Sequence, residues 1–143
     1  MTKTMTKTKT INHHQALIYV MMTMIAVDAK IGNAELARIG RLVQTLPAFS
    51  GFDPERLTHV AQECGEILQE DTGLQTALAL IKAGLPAVLR ETAYALAVEV
   101  AIADRNIARE EIRFLAMLRD ALDLTKLQTA ALEHAAIARY QSA

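Results

Sequence analysis

The amino-acid sequence predicts an all-α fold, a single-domain bundle of about seven helices that contains two pseudo-symmetric helix-turn-helix units. Three observations predict it. No segment shows the period-2 alternation of β-branched residues that marks a strand. Only six Gly and three Pro interrupt the 143 residues, so helices can run long. The stretch 17–46 aligns without gaps onto 93–122, and each copy reads as an apolar helix, an acidic turn and a second, amphipathic helix.

Residues 1–10 form a Thr/Lys/Met low-complexity tail with nothing to pack. The helical domain occupies 11–143. Its first helix spans about 12–27. The second spans about 33–46, with Leu36, Ile39, Leu42, Val43 and Leu46 on one face. Pro47 stops it. Asp53 is an N-cap with Pro54 at the first helical position, and Phe52 and Leu57 have the spacing of a hydrophobic staple. The third helix runs to about 70. Thr72 and Gln75 have capping-box spacing and open the fourth, which ends near 83. Gly84 and Pro86 stop and restart the chain into a fifth helix over about 86–103. The sixth covers about 109–122. Thr125 and Gln128 cap the seventh, which ends near 140.

The chain is 52% hydrophobic but holds no Trp and only three Tyr and three Phe, so Ala, Leu, Ile, Val and Met must fill the core. A chain of this length buries roughly two thirds of the surface that its unfolded form exposes, enough for a core without staples. Net charge is −1. With Lys3, Lys7 and Lys9 of the tail set aside, 12 positive charges face 16 negative ones. No basic face for nucleic acid follows from that balance. The single Cys64 excludes an internal disulfide and fits a reducing compartment. The tail lysines before the apolar run 16–27 have the outline of a secretory signal. The run has a counterpart at 93–103, however, which makes it a core helix, and twelve residues fall short of the roughly 20 that span a bilayer. The expectation is a soluble, cytoplasmic protein.

Any chemistry should sit in the repeated turns. The first reads Asp28-Ala29-Lys30-Ile31-Gly32-Asn33-Ala34-Glu35 and the second Asp104-Arg105-Asn106-Ile107-Ala108-Arg109-Glu110-Glu111. Their common Asp-x-x-Ile-x-x-x-Glu matches the second half of an EF-hand loop. The first half is absent: its ligand positions would be Met24 and Ala26, or Val100 and Ile102, which cannot hold a cation. One turn alone is therefore no calcium site, since calcium takes six to eight oxygens. Two readings remain. In one, Asp28 and Asp104 bond nearby backbone N–H groups, and Glu35 and Glu111 cap the following helices from their third position. In the other, Asp28, Glu35, Asp104 and Glu111 converge as one metal site for magnesium, manganese or calcium. Ile31 and Ile107 should be buried and pin each turn to the bundle.

The apolar helix, the Asp-x-x-Ile turn and the Glu four residues on, repeated late in the chain, resemble the TerB-like tellurite-resistance family. The resemblance covers nearly the whole chain. Ala29 and Arg105 stand where family members usually carry Gly, and Gly32 and Ala108 stand at the cap. It implies an all-helical, pseudo-symmetric bundle linked to tellurite resistance or stress response.

Elsewhere the chemistry is sparse. His13 and His14 are adjacent, so on a helix they point about 100° apart and read as surface residues. His59, Glu63, Glu66 and Glu70 fall on one face that reads as solvated. Cys64 reads as a small core residue, and Met21, Met22 and Met24 as gap-fillers. No glycine-rich phosphate loop, zinc-protease motif or nucleophile–base set occurs, so no catalytic residue is named. The resulting expectation is a non-enzymatic interaction module that binds a protein partner, with a weak divalent-cation site at the acidic turns. Its rivals are a metal-dependent enzyme or metal sensor using the four carboxylates, and a purely structural homodimer using a leftover apolar face such as that of the seventh helix.

Overall fold

The structure, a computed structural model, describes residues 9–28, 32–103 and 107–143. Seven α-helices make up the described chain: α1 (His13–Val27), α2 (Asn33–Thr45), α3 (Leu57–Leu68), α4 (Gly73–Gly84), α5 (Arg90–Ile102), α6 (Arg109–Ala121) and α7 (Lys126–Arg139). No strand occurs among the described residues.

The start of α1 follows from its capping residues. Asn12 Oδ1 accepts from the Gln15 backbone N–H at 2.9 Å, while the Asn12 N–H donates to Gln15 Oε1, also at 2.9 Å. Two otherwise orphaned donors are thereby satisfied. Beyond them the helix has no polar face, and every residue from Ala16 to Ile25 is buried. A helix apolar all round must be enclosed. Here α3, α4 and α5 enclose it, with α2 and α6 touching it as well. The stretch holds two hydroxyls: that of Thr23 donates back to the Tyr19 carbonyl at 2.7 Å, while that of Tyr19 is buried without a hydrogen-bond partner.

α5 repeats the pattern, with Ala93, Tyr94, Leu96, Ala97, Val98, Val100, Ala101 and Ile102 buried. It lies against α1 and carries α7 as α1 carries α3. The amphipathic helices α2 and α6 bury Ile39 and Val43 in one unit and Glu111, Phe114, Leu115 and Leu118 in the other. α4 breaks the symmetry by packing on α1 and α3 and touching α6.

The staple spacing at Phe52 and Leu57 is matched by both residues packing on the core. Asp53 accepts from the Glu55 N–H at 3.0 Å, but a 3₁₀ turn over Pro54–Arg56 precedes α3, and another over Ala87–Leu89 precedes α5. Both are places where Pro initiates a tighter turn than the sequence pattern alone suggests. The Thr125–Gln128 box forms as expected, with bonds of 2.8 and 3.1 Å. The Thr72–Gln75 box does not form, since Thr72 makes no side-chain cap bond. The turn there folds onto the end of α3 so closely that a Cβ at Gly73 would lie 2.2 Å from the Ile67 carbonyl oxygen. That turn holds Thr72 at φ −108°, ψ 33°, away from the extended geometry an N-cap needs. His14, expected at the surface, lodges edge-on against Phe52 and bonds the Ser50 carbonyl at 3.1 Å. Its pKa falls through burial and then through the neighbouring His13. Among the described residues no helix is long and apolar enough to cross a membrane.

Ile39 sits fully buried on the inner face of α2. Ile39→Ala should cost about 2–5 kcal/mol in urea unfolding, the range for a truncated core side chain. Burial raises the Cys64 thiol to about 11, so it stays protonated at pH 8. Alkylation at that pH should wait for unfolding, and labelling at the rate of a free thiol would show that the α1–α3 seam opens.

Candidate functional site

The acidic turns begin where α1 ends. Asp28 is the C-cap of α1, and its backbone N–H donates to the Ile25 carbonyl at 3.2 Å. Its side chain is half-buried and its Oδ2 is shielded from solvent. Glu35 sits at the third position of α2, and its Oε1 lies 2.9 Å from where a Cβ on Gly32 would stand. The carboxylate therefore folds back over its own helix start, and Gly at the cap leaves it room.

In the second unit Glu111 is only 3% exposed. Its Oε1 accepts from the Ala108 N–H at 2.9 Å, the capping half of the expected pattern. Glu110 beside it adds a second negative charge at the positive end of α6. Asp104 and Ile31 lie outside the described residues. Among the described residues no three of His, Cys, Asp or Glu stand together as metal ligands. Described residues that flank the two turns do share a cavity. Val27, next to Asp28, and Glu110, next to Glu111, line one cavity of about 360 Å³, together with Phe114 and Arg113 of α6 and Leu74 and Gln75 of α4.

Ile107 corrects the sequence reading, because it is 41% exposed rather than buried. The reason lies in how α7 leaves α6. α6 and α7 both rest on α5 but splay apart, and the gap between them is a cavity of about 270 Å³. Val98, Ala101 and Leu115 belong to its wall, with Ile107 and Ile112 at its mouth. A second hollow of about 290 Å³ shares Ile102, Ile107 and Ile137 with the first and runs on to Tyr140. Together they form one apolar groove. Ile112 is 58% exposed and Ile137 48% exposed, each on an opposite rim. A part-buried polar pair lies in the groove, in which Tyr94 donates to Glu133 Oε2. Burial first, and this bond second, push the phenol pKa well above its usual value, so Tyr94 remains a donor.

These features occur on a chain of recognisable type. The model of the family described as Tellurite resistance protein TerB matches residues 14–134. The chain belongs to that family. No curated protein and no solved structure matches it. The family match spans α1 through most of α7, so both acidic turns and the α5 and α6 walls of the groove in this TerB-family chain fall inside it, while Ile137 and Tyr140 lie past its end.

Sequence reasoning missed the groove. A leftover apolar face was expected on the seventh helix alone, Ile107 was expected to be buried, and an isolated surface aliphatic such as Ile112 is ordinary. The signal available was the link between α6 and α7. Only four residues, 122–125, join them, too few to fold back over the gap. Asp123 closes that link in the left-handed region at φ 58°, a conformation Asp tolerates better than most residues. Lys82 and Arg90 approach its carboxylate at 3.7 and 3.9 Å.

Glu111→Ala should destabilise the fold by about 1–2 kcal/mol, because the α6 N-terminus loses an acceptor. Glu111→Gln should cost less than half as much, since an amide oxygen can take the same bond. Equal costs in thermal unfolding would show that charge, not the cap, is what the position supplies.

Proposed function

We propose that this TerB-family chain is a non-enzymatic helical module that serves tellurite resistance by binding a protein partner through the groove between α5, α6 and α7. The observation that carries this reading is the groove itself. Ile107, Ile112, Ile137 and Tyr140 are four of the six exposed large hydrophobics among the described residues, and all four border it. Contiguous exposed apolar surface on a folded protein marks an interaction site. The groove's shape, two helix rims over a helical floor, suits a helix laid into it.

The test uses cells whose tellurite tolerance depends on this chain. Ile112→Lys places a charge on the rim at a position that folding does not need, so stability should stay within about 0.5 kcal/mol. Tolerance should fall while the melting curve holds. Unchanged tolerance with intact protein levels would sink the reading.

A second reading is favoured by Val27 and Glu110, which flank the two acidic turns and line one cavity. In it, Asp28, Glu35, Asp104 and Glu111 bind a divalent cation weakly, by hard-oxygen ligation. A cation bound to the folded chain raises its melting temperature in proportion to the logarithm of its concentration above Kd. Millimolar calcium, magnesium or manganese should therefore shift the melt upward. The Asp28→Asn/Asp104→Asn variant should abolish the shift. A melt indifferent to all three ions removes this reading and leaves the carboxylates as caps.

A further inference from the structure

We infer that the groove between α5, α6 and α7 seats a second copy of this chain, which enters it with Leu127 as two α7 helices pair antiparallel. The inference rests on the groove reading and names its occupant.

The internal repeat shows what the groove lacks. Within the gapless alignment, Gly40 of α2 corresponds to Ala116 of α6. In the first unit a Cβ on Gly40 would stand 3.8 Å from Leu57 Cδ2, so a leucine at the start of α3 covers α2 there. The long link 46–56 makes this possible by folding back, with its Pro54–Arg56 turn against α2. In the second unit the link is four residues long, α7 starts away from α6, and Ala116 lines the open cavity instead. What the first unit obtains in cis, a leucine from a capped helix start, the second unit leaves unfilled.

The chain carries that missing anchor itself. Leu127 lies in the first turn of α7, behind the Thr125 cap, and is 81% exposed. It opens a row of exposed residues, Leu127, Ala130, His134, Ile137 and Gln141, spaced three, four, three and four apart. This is the seam spacing of paired helices. No Asp, Glu, Lys or Arg interrupts it. The charges nearby are turned onto the chain's own α5, Glu133 to Tyr94 and Arg139 to Glu99 at 2.8 Å.

The row is self-complementary. Leu127 and Ile137 are ten residues apart, about 15 Å along the helix. Antiparallel pairing about a two-fold axis places each Leu127 on the Ile137 of the other copy, at the rim of that copy's cavity. Ala130 then meets His134 of the other copy, and the small alanine lets the helices approach. One symmetry operation fills both grooves and closes the assembly, as an isologous dimer requires.

Sedimentation equilibrium of the full chain, from micromolar to millimolar concentration, tests this. The mass should rise from 15.7 kDa toward twice that value. Leu127→Lys and Ile137→Glu should each weaken self-association at least about tenfold. An equimolar mixture of the two variants should recover it, because the introduced lysine of one then meets the introduced glutamate of the other. That rescue also shows that both variants fold. Association untouched by either variant, or a mixture no tighter than its components, overturns the inference. So does a monomer at every concentration. If that monomer still loses tellurite tolerance on Ile112→Lys, the groove reading survives without the dimer. If it does not, both fall.

Discussion

The burial of α1 on all sides is the constraint from which the rest of the architecture follows. Its residues Ala16 through Ile25 are all buried and include no charged side chain. Burying a Leu, Ile or Met fully contributes roughly 1.5–3 kcal/mol over leaving it exposed, so a helix of this composition is stable only when enclosed. Enclosure takes several helices, and the chain supplies them from both of its units: α3 and α4 from nearby sequence, α5 and α6 from the second unit. The two units therefore cannot be independent domains, because the first unit's central helix is completed by the second.

α5 carries the same burden less completely, and the difference shows position by position. Tyr19 and Thr23 of α1 correspond to Ala95 and Glu99 of α5. Tyr19 and Thr23 are fully buried, near Cys64 of α3. On α5 that face stays partly open and polar. Glu91 accepts from Gln128 at 2.7 Å, and Glu99 accepts from Arg139 and Tyr140. Such partly exposed pairs fix α7 in orientation more than they stabilise it. The repeat has thus been resurfaced where α7 stands in for α3, yet the flank toward α6 keeps its aliphatic residues. An exposed apolar flank beside a polar one, on the same two helices, argues that the apolar one is kept for contact.

Much of the fold was legible because period and punctuation agree. Pro47, Asp53, Thr125 and the apolar faces of the second and sixth helices each specify a boundary through local backbone chemistry, and the boundaries fall within a few residues of those expected. What was not legible depended on distance in sequence. Thr72 has the right spacing to cap α4, but the approach of Gly73 to Ile67 decides its backbone angles. His14 becomes half-buried only because Phe49 and Phe52 return to it from a loop 35 residues on. Ile107 matches Ile31 in sequence, but its environment is set by the length of the α6–α7 link, which a repeat alignment ignores. At the site, the alignment located Glu35 and Glu111 at helix starts. Whether their carboxylates converge with Asp28 and Asp104 is a matter of long-range packing that no local pattern encodes.

Capping and cation binding at these turns draw on the same atoms. Glu111 Oε1 is engaged by the Ala108 N–H, and the carboxylate is nearly shut off from water. A buried carboxylate is tolerable only with hydrogen bonds or opposite charge to offset its lost hydration. The backbone donors at the start of α6 supply that compensation without a metal. A cation approaching the turn therefore meets a group already stabilised, and it must improve on bonds that exist rather than relieve a deficit. Any affinity would then be modest. An ion would also be coupled to the helix start, because a carboxylate that rotated toward it would release the Ala108 N–H. The groove side of α6 begins one turn later at Ile112. On the proposed reading, a change in how firmly α6 starts would therefore act within one turn of the rim where a partner would sit.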